Sequence, residues 1–130
     1  KVALGQKPHV EIYGTDYDTA DGTCVRDYIH IRDLSQAHIL ALSSRRSAFY
    51  NLGTGGGTSV REVIDSCRKI TGREISAVEK PRRPGDPARL IAASEKIQRE
   101  LGWRPQFQNI DAIIESAWRW DQKFPNGYRG

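Results

Sequence analysis

The segment KPRRPGDPARL, residues 80–90, puts two adjacent arginines between prolines and an aspartate three residues further on. Pro81, Pro84 and Pro87 restrict φ and bias the residues before them toward extended backbone, while Gly85 leaves the turn its freedom. A loop constrained in this way loses less entropy when it closes on a ligand. Arginine offers a planar fork of donors suited to phosphate oxygens. A nearby carboxylate can accept from a vicinal diol such as a ribose. Arg83 and Asp86 therefore suit a nucleotide diphosphate, with phosphate on the cation and sugar hydroxyls on the acid. The same residues would serve equally well as a surface Arg–Asp pair that stiffens the loop, worth about 0–1 kcal/mol if exposed.

Other chemistry is sparse. The glycine-rich GTGGGTS, residues 53–59, follows a predicted strand and opens a predicted helix, the setting of a dinucleotide fingerprint. The G-x-G-x-x-G spacing fails, because Thr58 stands where the third glycine belongs. The P-loop spacing fails too, so these glycines are expected to make a tight structural connection. The sequence contains no Tyr-x-x-x-Lys, no G-x-S-x-G and no Cys/His pair placed together by spacing, so no catalytic residue is assigned. His9, His30 and His38 are scattered and no metal site is expected. Cys24 and Cys67 show no clustering, which favours reduced thiols and a cytoplasmic setting over a disulfide.

The 130 residues fit one domain with one modest core, and 38% hydrophobic with 28% charged residues is an ordinary globular composition. No apolar run approaches the roughly 20 residues of a membrane span. The first ten residues lack the apolar stretch of a signal peptide, and the chain has no methionine, which reads as a portion of a longer protein. Net charge is +4, from 20 basic against 16 acidic residues. No dense basic stripe interleaved with aromatics is present, so a small anion explains the local arginines better than a nucleic acid does.

The elements that would position the arginines read as mixed α/β. HVEIYG alternates and breaks at Gly14, predicting a strand. DYDTADGT is a loop, and VRDYIHI a short strand running to Asp33, a candidate N-cap with Gln36 three residues later. The following LSQAHILAL is apolar on nearly every face, predicting burial on more than one side. FYNL is predicted as a compact strand. Ser59 and Glu62 form a capping box, Val60, Val63, Ile64, Cys67 and Ile70 share a helical face, and Gly72 closes the helix. ISAVEK and RLIAA are further strand candidates. Ser94 opens a helix ending at Gly102, and Ile110, Ile113, Ile114, Ala117 and Trp118 mark the last helix.

Four segments in order, DGTCVRDYIHIRDLSQAHILAL, FYNLGTGGGTSVREVI, RRPGDPARLIAASEKIQRELGW and AWRWDQKFPNGY, resemble the C-terminal part of UDP-glucose 4-epimerases, members of the extended short-chain dehydrogenase/reductase superfamily. The resemblance runs from about Val10 onward. It implies a small mixed α/β substrate-binding domain, residues 1–130, without most of the N-terminal Rossmann domain. Residues of about 30–72 would pack on or join that absent domain. In this family the Rossmann domain holds NAD and the catalytic Tyr-x-x-x-Lys, and the small domain holds a UDP-sugar such as UDP-glucose or UDP-galactose. The chain alone would be inactive.

Carried over by position, the resemblance implies that Arg26 and Arg83 hold the diphosphate and Asp86 the ribose hydroxyls. Glu11 and Tyr13 would lie where the main chain passes the uracil. Tyr28 would lie near the same pocket or simply pack, and Arg82 would stand behind the site or at the surface. Leu90, four residues after Asp86, would bound the sugar pocket and admit N-acetylhexosamines in part, with Arg89 or Ile91 taking its place if the loop shifts by one residue. Self-association as a homo-oligomer is expected, since a portion without its Rossmann partner would expose apolar surface. Another nucleotide-sugar epimerase or dehydratase, or a non-catalytic module for UDP-sugars or other anions, are the alternatives.

Overall fold

A computed structural model describes residues 1–128. In chain order the elements are β1 (Val10–Tyr13), β2 (Val25–Arg26), α1 (Ile31–Leu42), β3 (Thr58–Ser59), α2 (Val60–Thr71), β4 (Ala77–Lys80), β5 (Arg89–Leu90), α3 (Glu95–Leu101) and α4 (Ile110–Lys123).

The strands form two small sheets. β1 and β4 pair in parallel, with Val10 opposite Ala77 and Tyr13 opposite Lys80. β2 lies between β3, antiparallel to it, and β5, parallel to it. Arg26 stands opposite Leu90 in this ladder, and Val25 donates its N–H to Ala88 at 2.8 Å. Both ends of the segment 81–88 are thereby fixed, one by β4 and the other by β5.

Two clusters of apolar side chains replace the expected single core. Ile12, Ile64 and Ile75 form one, with Val10, Val60 and Cys67 packed around them. Ala37, Ile97 and Trp103 form the other, flanked by Ile29, Leu40 and Leu52. The separation follows from the elements: α2 packs on β1 and carries α4 against itself, whereas α1 packs against α3 and the turn after it.

Helix ends follow local chemistry. Ser59 caps α2 by accepting from Glu62 N–H, Glu62 accepts from Ser59 N–H in return, and Gly72 ends the helix in the left-handed region at φ +62°. This is the expected capping box. At α1 the cap differs from expectation. The helix begins at Ile31, and His30 Nδ1 accepts from Arg32 N–H at 3.0 Å. Asp33 is not the cap. It lies inside the first turn, 1% exposed, and its carboxylate accepts from Gln106 N–H and Phe107 N–H, each at 3.0 Å. Two backbone donors of a distant loop outcompeted the local one. Ser94 likewise makes no backbone cap bond and instead accepts from Gln98 Nε2.

Two further expectations are corrected. Residues 49–52, FYNL, form no strand, since none of the described strands pairs with them, and Phe49 is 95% exposed. Helix α1 is not buried on more than one side within this chain: only Asp33 and Ala37 are buried, and Leu42 is 86% exposed.

Candidate functional site

The site is built where the two sheets meet the arginine loop. Gly85, at φ +85°, lets the loop reverse, and Asp86 N–H reaches Arg83 O at 3.3 Å. That turn brings the Arg83 and Asp86 side chains together, with Arg83 Nε donating to Asp86 Oδ2 at 2.8 Å. From the neighbouring strand, Arg26 Nη2 lies 3.5 Å from the other oxygen, Oδ1. Arg26 is held there by its own backbone and by the loop, donating to Val25 O at 2.8 Å and Pro87 O at 2.9 Å. One carboxylate thus gathers two guanidinium groups contributed by segments some sixty positions apart. The Arg83 side chain is still 60% exposed, so its remaining donors face solvent. The pairing makes the stiffening role real, yet leaves a positively charged face open to an anion.

Tyr13 and Glu11 border this cluster. The Arg83 guanidinium carbon stands 4.7 Å from the centre of the Tyr13 ring, a cation–π distance. The Tyr13 hydroxyl donates to the Glu11 carboxylate. That hydrogen bond holds Glu11 below the usual carboxylate range and pushes the Tyr13 phenol up. Tyr13 pairs with Lys80 in the sheet, directly before the loop, so its ring forms the wall beside Arg83.

The remaining predicted residues are placed less centrally. Leu90 is 61% exposed on β5, opposite Arg26, and borders the site without contributing a polar group. Tyr28 lines a separate recess of about 130 Å³ with Thr54, Gly57, Gln108 and Ile113. Burial pushes its phenol up, and Arg26 lies close enough to oppose that shift in part. Arg82 turns away from Asp86, donates from Nε to Asp16 Oδ1 at 2.7 Å, and lies 4.1 Å over the Tyr17 ring.

Sequence reasoning missed Tyr17, Asp16 and Asp27. Asp27 accepts from Thr54 N–H at 2.9 Å, Thr54 Oγ1 at 2.7 Å, Gly55 N–H at 3.1 Å and Ala92 N–H at 3.3 Å. It therefore ties the glycine-rich segment to the strand end after Leu90. A Cβ at Gly53 would come within 2.3 Å of Asp27 Oδ2, and one at Gly57 within 2.4 Å of Val25 Cγ1. Gly53 and Gly57 serve close packing, and Gly55 supplies a left-handed turn at φ +75°, in keeping with a structural connection. The N–H groups of Thr54 and Gly55 are engaged by Asp27 and that of Gly56 by Thr54 Oγ1, so these residues do not fit the phosphates of a dinucleotide. No spacing in the sequence marks Asp27; its four donors come from two distant segments.

A cavity of about 920 Å³ lies between the start of α1 and α4, lined by His30, Arg32, Phe107, Ile113 and Trp120 among others, and shares no residue with the arginine cluster. Cys24 and Cys67 are both free. Among the described residues no group of three or more His, Cys, Asp or Glu is placed to hold a metal, and no helix is long and apolar enough to cross a membrane.

Comparison with known proteins follows this geometry. The family profile described as GDP-mannose 4,6 dehydratase matches residues 13–116. A UDP-glucose 4-epimerase of Halalkalibacterium halodurans is 52% identical, over 98% of this chain and 40% of its own length. A crystal structure of the UDP-glucose 4-epimerase from Bifidobacterium longum, in complex with NAD+ and UDP, superposes with TM-score 0.89 at 45% identity, over 98% of this chain and 38% of that one. The UDP-Glc/GlcNAc 4-epimerase from Campylobacter jejuni superposes with TM-score 0.82 at 40% identity, over 93% and 38%. The chain spans about 40% of the length of the curated relatives it matches.

Proposed function

The chain belongs to the GDP-mannose 4,6-dehydratase family of extended short-chain dehydrogenases/reductases, and from that premise we propose that it is the UDP-sugar-binding portion of an NAD-dependent UDP-glucose/UDP-galactose 4-epimerase. The observation that carries this reading is the convergence of Arg26 and Arg83 on Asp86 beside the Tyr13 ring. A diphosphate would take the two guanidinium groups, and Asp86 would accept from the ribose hydroxyls. The uracil would lie along the main chain of Glu11 and Tyr13. Tyr28, in its own recess next to Arg26, would contribute from the side of the cluster.

NAD would be held by the part of the longer protein that this chain does not span. The glycine segment here is engaged by Asp27, and no step of hydride transfer is assigned to these residues. Hexose oxidation and return of the hydride would belong to that other part, so this chain by itself would be inactive. Residues of about 30–72, with exposed Ile31, Ile39 and Leu42, would pack on or join it. Two free thiols favour a reducing, cytoplasmic setting and a place in galactose metabolism fits the substrate.

Leu90 favours a finer reading of the sugar. Its exposed, medium-sized side chain beside Arg26 would leave room for an N-acetyl group, and a neighbour of 40% identity is described as acting on both UDP-Glc and UDP-GlcNAc. Robust turnover of UDP-glucose with none of UDP-GlcNAc, by the full-length protein, would refute this.

The nucleotide reading is tested by calorimetric titration of the chain with UDP, using GDP and dTDP as controls. Saturable UDP binding that exceeds both controls is expected. Equal binding of all three would reduce the site to a general anion patch, and no binding at millimolar UDP would count against the assignment.

A further inference from the structure

β5 is two residues long and both are exposed, so no buried face holds its register. What fastens it lies at its ends. Ahead of it, Val25 N–H donates to Ala88 O at 2.8 Å, and the pairing sets Val25 opposite Arg89 and Arg26 opposite Leu90. After it, Ala92 N–H donates at 3.3 Å to Oδ2 of Asp27, the residue that follows Arg26 in the chain. A side-chain carboxylate thus makes the rung that comes next in the ladder. The same oxygen accepts from Gly55 N–H at 3.1 Å, while Oδ1 accepts from Thr54 N–H at 2.9 Å and Thr54 Oγ1 at 2.7 Å. The glycine segment lies directly behind. A Cβ on Gly53 would come within 2.7 Å of Ala92 Cβ, and one on Gly57 within 2.8 Å of Ile91 Cδ1. Ile91 therefore leans on the glycine segment, whereas Leu90 beside it is 61% exposed.

Side chains alternate along an extended strand, so a slip of one residue turns every one of them to the other face. Were β5 to slip, Arg89 or Ile91 would stand opposite Arg26, and Leu90 would leave that position. The bond from Ala92 opposes such a slip from beyond the strand. It is the longest of the four that Asp27 accepts, and the other three keep the acceptor in place. We propose that Asp27 is a positioning residue for the sugar end of the site: by tying Ala92 N–H to the glycine segment, its carboxylate fixes the register in which Leu90, rather than Arg89 or Ile91, meets the sugar. Asp27 itself touches no part of the ligand and acts through Leu90. This inference rests on the nucleotide reading and on the assignment of Leu90 above, and adds the residue on which that assignment depends.

The test uses the full-length protein and compares Asp27→Ala, Leu90→Ala and the double variant with the unmodified form. Three quantities are read: the ratio of kcat/KM for UDP-glucose to that for UDP-GlcNAc, inhibition by UDP, and the melting temperature. Asp27→Ala should move the ratio about tenfold, the discrimination that one misplaced hydrophobic contact provides, and should do so through KM. Inhibition by UDP should be nearly unchanged, because Arg83, Asp86 and the carbonyls that pin Arg26 all lie ahead of the released bond. The melting temperature should fall, since the N–H groups of Thr54, Gly55 and Ala92 lose their acceptor. Leu90→Ala should shift the ratio as well, and adding Asp27→Ala to it should change little more, the mark of two residues acting on one contact. Ala92→Pro deletes that donor alone and leaves Asp27 its other bonds. It should shift the ratio in the same direction even if Asp27→Ala does not fold. An unchanged ratio in either folded variant would overturn the inference. So would shifts that simply add in the double variant, or equal losses for both sugars and for UDP, as a general loss of structure produces. An unchanged ratio in Leu90→Ala, or no turnover of UDP-GlcNAc at all, would overturn the assignment of Leu90 and this inference with it. UDP that fails to inhibit the unmodified protein would overturn the nucleotide reading itself.

Discussion

At the scale of residues, the organising feature is a carboxylate shared by two arginines of unlike exposure. Arg26 is pinned by two main-chain carbonyls and Arg83 is mostly free, so the two should differ in their sensitivity to substitution. Arg83→Ala removes open donors without breaking the fold and should weaken UDP binding about ten- to a hundredfold, as expected for charge-assisted hydrogen bonds, with the melting temperature nearly unchanged. Arg82→Ala, one position away, should change UDP affinity far less, since Arg82 is committed to Asp16 and the Tyr17 ring. Calorimetry on the two variants checks the order; the reverse order would mean that the register of the loop is misread. The sequence made Arg83 and Asp86 legible, because they are three residues apart around a glycine. The contact of Arg82 with the Tyr17 ring was not legible, because the two belong to distant segments that the β1–β4 pairing brings together.

At the scale of elements, stability depends on how α4 is fastened to α2. Asp111, in the first turn of α4, accepts from Lys69 Nζ at 2.6 Å and from the Ser66 hydroxyl, both on α2. The Lys69 ammonium foremost, then the Ser66 hydroxyl, hold the Asp111 carboxyl below its ordinary value, although burial opposes them. A carboxyl with a lower value in the folded state than in the unfolded chain contributes stability above the unfolded value, and loses it as pH falls through the folded one. The melting temperature should therefore decline as pH is taken below about 4, and decline less steeply in Asp111→Asn. Parallel thermal melts across that range decide it, and identical slopes would remove Asp111 from the account. Most helices were legible because capping signals are local: Ser59, Glu62 and Gly72 lie within one short stretch. Asp33 misled for the opposite reason. Its side chain suits a cap, but the backbone donors of Gln106 and Phe107 claimed it from more than seventy residues away.

At the scale of the whole molecule, the surface carries an unfinished face. Ile31, Ile39 and Leu42 on α1 and Phe49 beyond it are all exposed, and residues 49–52 pair with none of the described strands. Large apolar side chains exposed on one helix and the segment after it favour burial against another surface. On its own the chain should therefore self-associate in a concentration-dependent manner, and Leu42→Lys should shift it toward monomer. Size-exclusion chromatography with light scattering reads both, and a wild-type chain that stays monomeric at every concentration would contradict the expectation. In the full-length protein the same face would be covered by the remaining chain, and the substitution would then cost stability instead of altering assembly.

The sequence by itself determined the mixed α/β class, the helix boundaries set by local caps, the family, and the pairing of Arg83 with Asp86 around Gly85. Each of these depends on residue types at short spacing, or on a pattern that survives without knowledge of distances. Tertiary structure alone decided that Asp86 serves both arginines, that Asp27 occupies the donors of the glycine segment, and that Tyr17 is buried with a donor to spare. Hydrogen bonds and close contacts between segments far apart in the chain arise from how strands pair and helices pack. The composition of any one segment carries no record of them.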